Sequence, residues 1–149
     1  MTLVCETHID LPQAPAQVFA LLDDFSRVPD WLTRCEGLAK QGHGPNAAGD
    51  KLRYAYVEGG KHRLMDGVIL THDAPYRMTC RYFDKMMQVI VDFQLEPSGN
   101  GTRLTHRIEI MPQSFMARLL TPMIRAKLPQ QTKQAMESLR GLLARQMAA

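Results

Sequence analysis

A chain of 149 residues, 45% apolar and 22% charged, has the size and composition of one globular domain spanning 1–149, which argues against a disordered chain and a membrane-embedded one alike. No apolar run approaches the ~20 residues that span a bilayer, and the opening residues lack a basic segment followed by an apolar one, so a cytoplasmic location is expected. The formal charge of +3 is concentrated after residue 113, where Arg118, Arg125, Lys127, Lys133, Arg140 and Arg145 face only Glu137; a solvated helix face is the simpler reading and a transient membrane contact the other, while the missing aromatic interleaving speaks against nucleic acid.

In chain order, residues 3–9 alternate Leu3, Cys5, Thr7 and Ile9 against Val4, Glu6 and His8, the period of a strand. Pro15 then suits a first helical turn, with Val18, Leu21 and Leu22 on one face. A second brief helix follows, with Ser26 as its expected cap and Phe25 and Trp31 as apolar anchors. Strands and hairpins are expected from about residue 35 to 96, with turns at 43–49, Gly59-Gly60, Ala74-Pro75 and Asp84-Lys85. The clearest strand sets Met87, Val89, Val91, Phe93 and Leu95 on one face, and the turn Ser98-Gly99-Asn100-Gly101 joins it to residues 102–110. After Pro112 the spacing of Phe115, Leu119, Met123, Leu128, Ala135, Met136, Leu139, Leu142 and Leu143 predicts a long amphipathic helix, kinked or broken at Pro122 and Pro129, with its first third as a separate, mobile piece.

This order predicts an α+β fold in which a curved antiparallel sheet of about seven strands wraps a long C-terminal helix, with two short helices after strand one. The segments LPQAPAQVFALLDDFSRVPDWL, AGDKL and THDAPYRM, with the closing helix, resemble the polyketide cyclase/dehydrase branch of the START-like (SRPBCC) superfamily over nearly the whole chain. The segment DDFSRVPDWLTRCEG is also similar to the start of coenzyme Q-binding proteins. These resemblances imply a helix-grip fold with a mainly apolar cavity between sheet and helix, used by relatives for lipids, sterols, polyketides or isoprenoids. Some such relatives are enzymes and many only bind.

The expected ligand-binding residues are Trp31, Tyr54, Tyr56, Asp66, Tyr82, Met87, Val89, Phe93, His106, Phe115, Leu119 and Met123. Buried tyrosine hydroxyls need partners, so Tyr54, Tyr56 and Tyr82 suggest a polar-studded lining. His106, on an otherwise apolar strand face, is either a hydrogen-bonded core residue or a group that orients a ligand carbonyl. Asp66 would join it as an acid–base pair if its strand runs without a bulge, although Gly67 could mark one. The histidines and cysteines have no metal-ligand spacing, and phosphate-cradling glycine motifs and the G-x-S-x-G nucleophile motif are missing, so no metal or cofactor is expected. Binding or carriage of a hydrophobic small molecule is the first reading. A polyketide cyclase, aromatase or dehydratase using the same cavity is the alternative.

Overall fold

The computed structural model describes residues 2–148, and the side chains of residues 2–146. Strand β1 (Leu3–Leu11) is followed by α1 (Pro15–Asp23), a 3-10 turn (Phe25–Arg27) and α2 (Val28–Trp31). Then come β2 (Cys35–Lys40), β3 (Lys51–Glu58), β4 (Lys61–Asp73), β5 (Arg77–Phe83), β6 (Met87–Ser98), β7 (Gly101–Pro112) and α3 (Phe115–Ala148).

All seven strands form one antiparallel sheet in the order β1-β7-β6-β5-β4-β3-β2. From β2 to β7 the chain is a meander in which each strand pairs with the next, through the loop 41–50 between β2 and β3 and through short turns after that. The helices α1 and α2 carry the chain from β1 at one edge to β2 at the other. This is the helix-grip α+β arrangement expected.

Apolar alternation explains which face is buried. Leu104, His106 and Ile110 of β7, Phe93 and Leu95 of β6, and Met78 and Cys80 of β5 all point to the concave side. Val18, Phe19, Leu21, Leu22, Phe25, Val28 and Trp31 from the short helices pack with Leu104, Phe93, Leu95, Met78 and Cys80, together with Met136, Leu139 and Leu143 of α3. Breaks in register at Cys35/Gly37, on the edge strand β2, and at Ile69/Thr71, between the interior strands β4 and β5, bend the sheet locally.

Two local expectations need correction. Ser26 does not cap the second helical segment; Asp24 does, accepting from the Ser26 amide at 3.2 Å and its hydroxyl at 2.6 Å. Of the kink or break expected at the prolines of α3, the break is not found, since the helix runs for 34 residues through Pro122 and Pro129. Ser114 starts it, its hydroxyl accepting from the Ala117 amide at 3.1 Å. Farther along, Arg34 donates to Gln131 at 2.8 Å and Arg140 to the Asp10 carbonyl at 3.1 Å, which fastens the helix across the sheet.

Candidate functional site: a polar seam between two apolar clusters

The interior is divided. The larger cluster holds the short helices, the middle strands and residues 135–143 of α3. A smaller one joins Leu3, Ile110 and Leu128, with Cys5, Met87, Val89, Ile108 and Ile124 packed against it. Between the two runs a line of polar side chains from β1, β7 and α3. The Cys5 Sγ lies 3.6 Å from the Thr132 hydroxyl, Thr7 donates to the same oxygen at 3.4 Å, and Thr132 donates in turn to the Pro129 carbonyl at 2.9 Å. His106 stands opposite Thr7 in the sheet.

His106 is 5% exposed, lies stacked on Phe93 with ring centroids 4.7 Å apart, and its Nδ1 has no hydrogen-bond partner. Trp31 meets the same phenylalanine edge-on at 6.1 Å, and its buried indole Nε1 is also unpartnered. Register explains the stack, because Phe93 and His106 are direct partners on β6 and β7. Burial pushes the His106 imidazole down from 6.5 to about 4, against a smaller upward pull from Asp92, so the ring is neutral at physiological pH. It therefore presents one donor and one acceptor nitrogen.

Tyr54 and Tyr82 pack against the same apolar cluster that holds Trp31 and Phe93. Tyr54 stacks on Tyr56 at 5.2 Å and meets Tyr82 at 5.3 Å. Burial raises the pKa of all three hydroxyls, and it raises the Cys35 thiol to about 11 and the Cys80 thiol to about 12. None of these groups ionises near neutrality. Tyr82 fits because its partner in the sheet is Gly67: a Cβ there would lie 2.7 Å from the Tyr82 ring. The close approach of the Tyr82 ring, in a strand whose register with β3 runs unbroken through Gly67, thus accounts for a glycine that the sequence suggested as a bulge.

Trp31, Tyr54, Tyr56, Tyr82, Met87, Val89, Phe93 and His106 all contribute to the two clusters or the rings between them. Four other expected residues lie elsewhere. Asp66 is on the convex face, where it pairs with Arg53 at 3.1 Å, because the inward positions of β4 are Met65, Gly67 and Ile69. It forms no pair with His106. Phe115, Leu119 and Met123 point away from the sheet into solvent, since Ala117, Thr121 and Leu128 take the buried side of α3.

A groove of about 370 Å³ follows the free edge of β1, lined by Thr7, Ile9, Pro129, Lys133 and Met136 among others. None of the expected ligand residues lines it, but it reaches the seam at Thr7. Thr132 was missed by sequence reasoning. The available signal was a hydroxyl on the buried stripe of a helix, between Leu128 and Ala135. Also missed was a cluster at the α1 end, where Asp23 accepts from Asn46 at 2.8 Å and pairs with His72 at 2.9 Å.

Residues 2–144 match the family model described as polyketide cyclase/dehydrase and lipid transport. The chain belongs to this family. Among solved structures, the Zhui aromatase/cyclase from Streptomyces sp. R1128 is similar, with a TM-score of 0.81 at 12% identity over 99% of this chain and 96% of that one. A START superfamily protein from Mycobacterium smegmatis gives 0.79 at 12% identity, covering 95% of this chain and 97% of its own. At such identity the likeness is one of fold. A search of curated proteins finds no match. Among the described residues no group of three or more histidine, cysteine or acidic side chains is placed to hold a metal ion.

Proposed function

We propose that this family member binds and carries an uncharged, largely apolar small molecule with one polar group, of the lipid, polyketide or isoprenoid kind, between the sheet and α3. The observation that carries this reading is the pair of unpartnered buried atoms, Trp31 Nε1 and His106 Nδ1, both set against Phe93. A buried polar atom without a partner costs roughly 1–3 kcal/mol, and a ligand oxygen that met these nitrogens would recover it. Tyr54, Tyr82, Met87, Val89, Val91 and Ile108 face the concave side and keep partial exposure, as a lining would without its ligand.

Carriage is favoured over cyclisation by the state of the interior groups. The imidazole is a weak base at about 4, the thiols and phenols stay protonated, and the acid–base partner expected for it, Asp66, is outside, paired with Arg53. Trp31 is the single tryptophan, so its fluorescence reports on the site itself. Native mass spectrometry of protein from its own host should reveal a co-purified apolar molecule, and returning that molecule to stripped protein should shift the Trp31 emission. His106→Phe should weaken the binding by about tenfold, the worth of one lost hydrogen bond, in a protein that remains folded. A stripped protein whose emission responds to no lipid, quinone or polyketide would end this reading.

A further inference from the structure

The first third of α3 presents two opposite faces. Ala117, Thr121, Ile124 and Leu128 recur at steps of three and four and turn toward the sheet, where Leu128 packs on Leu3 and Ile110. On the other side Phe115 is 75% exposed, Met116 58%, Leu119 59% and Met123 55%, with Leu120 beside them. The large apolar side chains of this segment thus face water, which inverts the usual arrangement of a surface helix.

Charge identifies what would cover them. Between residues 110 and 136 the chain has no aspartate or glutamate, while Arg118, Arg125, Lys127 and Lys133 lie along the same stretch. Those four positive charges exceed the formal charge of the whole chain, +3, so the remainder is slightly acidic. The β5–β6 turn sits at the same end, joined to the start of α3 by the bond from the Gln113 amide to the Met86 carbonyl at 2.8 Å, and it exposes Lys85. Asp84 of that turn is engaged by the amides of Met86 and Met87.

We propose that the outward face of α3 over residues 115–123 docks on the anionic surface of a lipid bilayer. An apolar stripe edged by basic side chains lies in the headgroup region with its apolar groups in the acyl boundary and its cations among anionic headgroups. A second copy of the chain fits the face poorly. A two-fold contact sets the same patch against itself, and here that would oppose Arg118 and Lys127 to their own kind without an intervening carboxylate. Docking here is independent of the ligand reading, because it uses a surface on the far side of the helix from the seam.

Co-sedimentation of ligand-stripped protein with vesicles tests it. The protein should bind phosphatidylcholine vesicles containing about one third phosphatidylglycerol, bind pure phosphatidylcholine at least about tenfold more weakly, and be released by salt. Leu119→Asp with Met123→Asp should lower the affinity by about tenfold or more at an unchanged melting temperature, since both side chains are exposed. Arg118→Gln with Lys127→Gln should abolish the preference for anionic vesicles and leave the fold intact. No binding to the mixed vesicles at low salt, equal binding to both compositions, or full binding by the Leu119/Met123 variant would each overturn the proposal. So would a concentration-dependent dimer that the same variant dissolves, which would assign the face to a second copy. Because the assay contains no small ligand, its failure leaves the Trp31 titration untouched.

Discussion

Burial of His106 against Phe93 couples its neutrality to the stability of the fold. Its pKa is about 4 when folded and 6.5 in the open chain, so the unfolded state takes up a proton first as pH falls. The stabilisation is complete above pH 6.5 and is lost as pH drops through that value toward 4, amounting to about 3 kcal/mol over the window. Denaturant unfolding at a series of pH values should show this slope, and His106→Phe, which keeps the stack on Phe93, should flatten it. Asp92 adds to acid sensitivity at lower pH: burial alone would raise its pKa, but bonds from Gln94, Thr79 and Arg77 hold it below the usual 3.8. Gly67 gives a second residue-scale test. Gly67→Ala should destabilise by about 1–3 kcal/mol through the clash with Tyr82, and Tyr82→Leu in the same chain should remove most of that penalty, a coupling that a double-mutant cycle reads directly.

Among the elements, α3 holds the largest tension between local preference and observed form. Pro122 and Pro129 remove the amides that would bond to the carbonyls of Arg118 and Arg125, yet the helix continues. Its weaker part is also its least buried, so amide exchange should be faster over residues 115–127 than over 130–145. Pro122→Ala should restore one bond and slow exchange there, with a gain of up to about 3 kcal/mol in local stability. The strands were legible because a period of two leaves little choice of face: Met87, Val89, Val91 and Phe93 could only be read one way. Asp66 was not, since one residue of phase in β4 decides inward or outward and the glycine beside it leaves no apolar mark. Phe115, Leu119 and Met123 were misread for a related reason. Helical spacing shows that residues share a face but not which way the face turns, and the small Ala117 and Thr121 that take the buried side carry little hydrophobic signal. The seam escaped notice because its members, Cys5, Thr7, His106 and Thr132, lie far apart in the chain and meet only through the pairing of β1 with β7 and the crossing of α3.

For the molecule as a whole, the same pairing sets the order in which structure can form. Leu3 lies opposite Ile110 and Leu11 opposite Thr102, so the first strand made is completed by the last. From β2 to β7 every neighbour in the sheet is also a neighbour in the chain, and these hairpins can close as they are synthesised. β1 must wait, tethered through α1 and α2, with its apolar residues Leu3, Ile9 and Leu11 uncovered until β7 and then α3 arrive. Closing so long a loop is entropically costly and puts the closure late. Chains arrested before residue 101 should therefore stay sensitive to protease at residues 2–11, and protection there should appear in one step once β7 can pair. Until that moment the nascent protein exposes an unpaired apolar strand, the form in which it is most exposed to aggregation and most dependent on chaperones.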